Sequence, residues 1–290
     1  MNRKQIHFII NPISGNGKKL NWQELIDQHL DHSQFDYTIH FTQSQYDATF
    51  LSKKAAQSEV DIVCAVGGDG TINEVAKGLL HSNTALSIIP RGSGNGLARH
   101  LNIPLKPEEA IIFINHGTIS KMDVGYLNDQ LFLCVAGMGF DAQVAHAFNR
   151  FGKRGFLSYA WLSIISYLKY KPIVCQIHVD RKTLNLKAFL ISFANASQFG
   201  NDTYIAPHAK INDGFLNLVS IKPFPFWSIP QLIFKTFQKK IHTSRYYEAI
   251  QFQSLSLETS STISHIDGEP IFSPPVVRVT VEPKALNILY

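Results

Sequence analysis

Residues 61–71 read DIVCAVGGDGT. Asp61–Val66 continues from its first residue as five apolar residues without alternation, the pattern of a strand covered on both faces. Gly67 and Gly68 stop the run, and Thr71–Leu80 has helical spacing. A buried strand, a glycine turn and a helix make the repeating step of a parallel sheet. The same grammar holds on either side. Ile6–Ile10 is a short apolar strand ended by Asn11 and Pro12, and Trp22–Leu30 follows as a helix. Phe35–Phe41 reads as a strand and Ala48–Gln57 as a helix, with Asp47 as its N-cap. Leu86–Ile89 is a third buried strand, followed by a glycine-rich loop, a short helix at Gly96–Leu101 and another at Pro107–Asn115. In open α/β sheets the ligand crevice lies at the carboxyl ends of the strands, so the three glycine-rich loops are expected at one edge.

Each loop suits phosphate. Asn11-Pro12-Ile13-Ser14-Gly15-Asn16-Gly17-Lys18 lets backbone approach an anion at a helix start. It is not a Walker A loop, because Pro12 and Lys19 occupy required positions, and a plain turn explains it equally well. Gly67-Gly68-Asp69-Gly70-Thr71 leaves bare backbone around one carboxylate, an arrangement suited to Mg²⁺ bridged by phosphate oxygens. Thr71 is expected to cap the helix, with Asn73 and Glu74 polar on its first turn; the competing reading is an Asx-capped turn. In Pro90-Arg91-Gly92-Ser93-Gly94-Asn95-Gly96, Arg91 can pair with phosphate and Ser93 and Asn95 can donate to it.

Past residue 125 the runs QLFLCVAG, IVCQIHV, AFLISFANA, FLNLVSI, IQFQSLSLE and VVRVTVE are short, β-rich and separated by turns, the signature of an antiparallel sandwich or barrel. Two aromatic, basic stretches, Phe148–Tyr170 and Phe224–His242, read as helices. Gly137-Met138-Gly139-Phe140-Asp141-Ala142 fits G-x-G-x-x-A, but no acid follows about 20 residues on, so a tight turn is the better reading. Asn212-Asp213-Gly214 is a hairpin turn or, with backbone carbonyls, a hard-cation ligand. His265-Ile266-Asp267-Gly268-Glu269-Pro270 places two acids around a glycine, either a general-base pair or a polar hairpin.

Composition narrows the class. The 290 residues are 45% hydrophobic and only 17% charged, with 18 Gly and 13 Pro spread along the chain, which excludes disorder, collagen and long coiled coil. The longest charge-free apolar run, between Arg154 and Lys169, is 14 residues, short of the roughly 18–20 that span a bilayer. No export signal is visible, so a cytoplasmic protein is expected. Cys64, Cys134 and Cys175 are far apart and read as reduced core residues. HExxH, CxxC and GxSxG are all absent, so zinc and serine-hydrolase chemistry find no support. The net charge of +5 is uneven: residues 141–247 carry 14 Lys and Arg against 4 Asp and Glu, whereas residues 1–140 carry 11 against 13. A basic middle segment suits nucleic acid, an anionic membrane face or plain solubility. With no nucleic-acid motif beside it, no nucleic-acid partner is expected.

The ordered set FIINPISGNGK, VGGDGTINEV, PRGSGNGLARHL, DVGYLN, NDGFLNL and HIDGEP resembles the diacylglycerol kinase catalytic-domain superfamily, which includes diacylglycerol, sphingosine, ceramide and bacterial lipid kinases. The resemblance implies an N-terminal three-layer α/β domain with a parallel sheet, like that of NAD kinases and phosphofructokinases. This domain, residues 1–125, would bind ATP. An all-β sandwich over 126–290 would hold the lipid, its extreme C-terminus able to return to the first domain. ATP would lie in the cleft between them, on Asn11, Pro12, Ser14, Gly15, Thr42, Gly67, Gly68, Asp69, Gly70, Thr71, Asn73, Glu74, Arg91, Ser93 and Asn95. Asp69 would hold the catalytic Mg²⁺ with Asp123 in support, and Asp213 with the carbonyls of Leu216 and Leu218 a structural Mg²⁺. Glu269 would accept the proton of the lipid hydroxyl, with Asp267 beside it. Ser93 and Gly96 depart from the frequent Thr and Asp of the family, which leaves the acceptor open between diacylglycerol and sphingoid lipids. The expected protein is an ATP-dependent lipid kinase of phospholipid metabolism. It would dock reversibly on anionic phospholipid at the membrane surface, and a homodimer is left open. The alternatives are a soluble NAD kinase and a non-catalytic nucleotide or lipid sensor.

Overall fold

A computed structural model describes residues 3–15, 20–151, 167, 170–259 and 261–290. The chain forms two compact units, Met1–Asp123 with Lys284–Tyr290, and Val124–Pro283.

In the first unit the elements are β1 (Lys4–Ile10), α1 (Trp22–His29), β2 (Phe35–Phe41), α2 (Asp47–Gln57), β3 (Ile62–Gly67), α3 (Asp69–Leu79), β4 (Ala85–Pro90), α4 (Gly96–His100) and α5 (Pro107–His116). The strands pair in parallel in the order β2-β1-β3-β4. Every residue of β3 and β4 is buried, as their unbroken apolar runs require. Ile26 of α1 and Ile72, Val75 and Leu79 of α3 add to the core. Asp47 is not the cap of α2. Tyr46 precedes the helix in left-handed backbone, and the Asp47 carboxylate turns back to accept the N–H groups of Gln43 and Ser44 at 2.7 and 2.9 Å.

The second unit continues through β5 (Ile119–Leu127), which begins in the first unit, then β6 (Gln130–Phe132), β7 (Val135–Gly139), α6 (Phe140–Phe151), β8 (Ile173–Val179), β9 (Lys182–Ala188), β10 (Leu190–Ala194) and β11 (Leu216–Ile221). After α7 (Ile229–Phe237) come β12 (Tyr247–Phe252), β13 (Ser254–Thr259), β14 (Ile263–Ile266), β15 (Glu269–Phe272) and β16 (Val276–Leu289). One antiparallel sheet has the order β12-β11-β10-β7-β14-β15; the other joins the first half of β16 to β13, β8 and β9. Alternate inward residues build the sandwich core, among them Phe132, Ile177, Phe193, Phe252, Leu257 and Val277. Burying such a side chain contributes about 1.5–3 kcal/mol each.

Three local readings are corrected here. The run QLFLCVAG is two strands, because the N–H groups of Leu133, Cys134 and Val135 turn to a carboxylate. Gly137 lies inside β7, with no tight turn there, and α6 starts directly after Gly139. Phe224–His242 is a 3₁₀ turn at Phe226–Ser228, then α7, then a second 3₁₀ turn at Ile241–Thr243, with Pro230 at the helix start. Most of the Phe148–Tyr170 stretch lies outside the described residues.

Candidate phosphate-binding and proton-accepting sites

The three glycine-rich loops of the first unit leave the carboxyl ends of β1, β3 and β4, adjacent parallel strands. They are bonded to one another. Asn11 N–H donates to the Val66 carbonyl at 3.0 Å, and Asn11 Nδ2 donates to Thr71 Oγ1 at 3.0 Å. Arg91 N–H donates to the Gly67 carbonyl at 2.7 Å. The Asp69 carboxylate accepts the backbone N–H of Asn95 at 3.0 Å through one oxygen and that of Gly96 at 2.9 Å through the other. Asn95, in left-handed backbone, accepts from Gly92 N–H at 2.8 Å and so closes the third loop on itself.

This closeness is what the glycines permit. A Cβ on Gly92 would meet Gly68 Cα at 2.8 Å, and one on Gly15 the Arg91 guanidinium at 2.6 Å, with φ +84 besides. Gly70 differs: nothing lies within 4 Å of its added Cβ. Thr71 does not cap α3, whose N-cap is Gly68; its hydroxyl is the acceptor for Asn11. Thr42 follows β2 and donates its N–H to the Ile10 carbonyl, beside the first loop. Pro12 is exposed, as is Ser93 at the tip of the third loop, while Ser14 closes back on the Asn11 carbonyl. Asn73 is buried on α3, and the Glu74 carbonyl accepts the Thr49 hydroxyl. The Arg91 guanidinium lies over the Trp22 ring at 5.6 Å. On α4, burial pushes the His100 imidazole down to about 4. Asp123 is wholly buried, and its carboxylate accepts the Lys284 N–H at 2.8 Å, fastening β5 to β16.

In the second unit Glu269 is exposed as the first residue of β15. It follows a two-residue turn in which Asp267 and Gly268 have φ 48 and 86, as a tight hairpin needs. Asp267 anchors that turn: its carboxylate accepts three N–H groups, from Leu133 at 2.9 Å, Cys134 at 2.8 Å and Val135 at 3.1 Å. It is occupied with chain structure, a role that its spacing from Glu269 did not disclose. A pair that no spacing in the sequence shows is the buried His265 Nε2 with the partly buried Asp141 Oδ2, 3.0 Å apart. A Cβ on Gly137 would lie 2.8 Å from that Nε2, so this glycine makes room for the pair. Asp213 sits at the turn into β11, accepting the Phe215 N–H at 3.0 Å and the Gln251 amide at 3.2 Å. Leu216 and Leu218 are alternate residues of β11, whose carbonyls point to one side of the strand. All three cysteines are free and buried, and burial raises the thiols of Cys64 and Cys175.

Among the described residues no three His, Cys, Asp or Glu side chains gather as a metal cluster. A cation at Asp69 would therefore use substrate oxygens, and one at Asp213 main-chain carbonyls. Both donor sets are all-oxygen and fit a hard divalent ion. At Asp69 each carboxylate oxygen accepts one amide of the third loop.

Bonded glycine loops at the carboxyl edge of a parallel sheet, joined in one chain to a β-sandwich, define a phosphate-handling α/β enzyme class. Residues 5–127 match the diacylglycerol kinase catalytic domain, and residues 134–290 match the YegS C-terminal NAD kinase beta sandwich-like domain. A diacylglycerol kinase of Bacillus subtilis is 31% identical over 229 residues, 76% of this chain and 74% of that one. A Chromohalobacter salexigens protein described as a "Probable lipid kinase YegS-like" is 29% identical over 233 residues, 78% of this chain and 75% of that one. A crystal structure of a Bacillus anthracis diacylglycerol kinase covers 100% of this chain and 98% of its own at 22% identity, with a TM-score of 0.77, a likeness of fold. The chain belongs to the diacylglycerol kinase family with a YegS-type C-terminal domain. Among the described residues no helix is long and apolar enough to cross a membrane.

Proposed function

We propose that the protein transfers the γ-phosphoryl group of Mg-ATP to a hydroxyl of a membrane lipid, a diacylglycerol or a sphingoid base. The observation that carries this reading is the bonding of the three glycine loops to one another, the second and third through the Asp69 carboxylate. Phosphoryl transfer asks a protein mainly for positioned phosphates, a cation and a base. The loops offer backbone N–H groups, Arg91 and Ser93 to phosphate oxygens. Mg²⁺, when bound, would neutralise charge on the β- and γ-phosphates, with Asp69 as its carboxylate; Asp213 with the Leu216 and Leu218 carbonyls would hold a second ion. Glu269 would take the proton of the acceptor hydroxyl, and Asp267 would hold the turn that presents it. Asp123 would act by fixing the backbone at Lys284. The names of the relatives support a lipid acceptor. The protein would work at the cytoplasmic leaflet, docked reversibly on anionic phospholipid.

The test is transfer of labelled γ-phosphate from Mg-ATP to diacylglycerol, monoacylglycerol, phosphatidylglycerol, sphingosine and ceramide in mixed micelles, with NAD as a soluble control. A labelled lipid is the expected result. Label on NAD alone, or none on any acceptor, would overturn the reading.

A further inference from the structure

Between Lys222 and Tyr247 the chain carries five Lys and Arg and no Asp or Glu. This segment contains α7, which has two apolar faces. One is spent on the second unit: Leu232 is 7% exposed, and the Thr236 carbonyl accepts the Tyr204 N–H. Phe224 roots the segment by packing its ring against Phe189, tilted, with centroids 4.6 Å apart, and Ile241 is buried at its other end. The second face points outward. Pro230, Ile233, Phe234 and Phe237 follow the i, i+3, i+4, i+7 spacing of a single stripe. Phe226 and Trp227, one turn earlier, extend it. Trp227 is 76% exposed, Phe226 64% and Phe234 60%. A continuous outward stripe of this size on a well-anchored element marks a surface meant to be covered.

We infer that this stripe is the element by which the protein inserts into the headgroup region of an anionic bilayer. Lys235, Lys239, Lys240 and Arg245 belong to the same segment; Lys235 donates to the Thr243 carbonyl at 3.0 Å, Arg245 lies over the Tyr246 ring and Lys239 over the Tyr204 ring at 4.6 Å, while Lys240 is exposed. Aromatic rings settle at the headgroup level, and basic side chains beside them are drawn to anionic lipid. The charge decides between the two obvious occupants. A second copy on the stripe would bring one basic segment against another, whereas an anionic lipid surface neutralises it. The inference rests on the lipid-kinase reading for the use of such docking, and can fail separately from it.

The experiment is co-sedimentation of the full chain, without nucleotide, with vesicles of phosphatidylcholine plus phosphatidylglycerol or of phosphatidylcholine alone. Transfer to a short-chain, water-soluble diacylglycerol is measured in parallel. The wild type should partition onto the mixed vesicles and be released by salt. Trp227→Ser combined with Phe234→Ser should weaken partitioning about tenfold or more. Lys239→Gln combined with Lys240→Gln should weaken it on mixed vesicles alone. Phe50→Ser, an equally exposed aromatic of the first unit, should change nothing. The docking variants should keep wild-type activity on the soluble acceptor. Wild-type partitioning by the Trp227/Phe234 variant, equal loss in Phe50→Ser, or no vesicle binding by the wild type would overturn the inference. So would a wild-type dimer that this variant converts to monomer while vesicle binding persists. Failure of the soluble-acceptor assay with vesicle binding intact would count against the kinase reading alone.

Discussion

Asp69 and Asp267 stand beside glycines in similar-looking motifs, one in each unit, and both accept backbone N–H groups from a distant segment. Asp267 gathers three amides at the start of β7 and fixes a hairpin. Asp69 gathers two from the third loop, and next to it Gly70 faces open space. In both units the Asp-Gly motif lies where distant chain segments meet. What a carboxylate serves beyond that depends on the space left around it.

Exchanging the charge at each site breaks the comparison most directly. Asp69→Asn keeps the shape and one acceptor while losing the charge. Under the proposed function it should lower the rate of transfer by about 10²–10³-fold with the fold retained, read by labelled-phosphate transfer and circular dichroism. Wild-type transfer would remove Asp69 from the chemistry. Asp267→Ala should act on stability, leaving three part-buried N–H groups without their charged acceptor. A loss of about 3 kcal/mol in urea unfolding is expected, and an unchanged midpoint would refute the anchoring role.

Acid should sharpen the contrast from the side of the first unit. The His100 imidazole, lowered to about 4 by burial, is neutral when folded, whereas the unfolded group titrates near 6.5. Its contribution is complete above about pH 6.5 and is lost as the pH falls toward 4, at most about 3 kcal/mol. His100→Gln should flatten the dependence of unfolding free energy on pH across that window; an unaltered curve would assign the acid sensitivity elsewhere. The smallest effect belongs to Gly70→Ala. With no clash and a helical position, it should hold or raise stability by up to about 1 kcal/mol. If phosphate approaches there, KM for ATP should rise nonetheless. Both quantities unchanged would leave Gly70 outside the nucleotide site.

Most of the α/β unit was legible because β1, β3 and β4 are apolar runs ended by glycine or proline. Phe35–Phe41 reads as the same strand in sequence and structure. The caps were less so, since Asp47 and Thr71 direct their side chains to partners that only the folded loops supply. The proximity of the three loops followed from the parallel-sheet rule, yet their mutual bonds through Asn11, Asp69 and Asn95 did not. Asp141 and His265 stand 124 positions apart and meet because β7 and β14 pair, a register no short motif encodes. The second face of α7 escaped for another reason: both of its faces are apolar, and composition alone cannot say which one the protein keeps for itself.

Asn287 and Ile288 pair with Ala85 and Leu86, Tyr290 exchanges two hydrogen bonds with Thr118, and Ala285 accepts from His81. The parallel sheet thus receives β16 as the neighbour of β4, with β5 on its other side. During vectorial synthesis all of Val124–Pro283 must leave the ribosome before β4 gains that neighbour. Until then that edge of β4 is an unfilled template for any passing strand, a hazard for the nascent chain during synthesis.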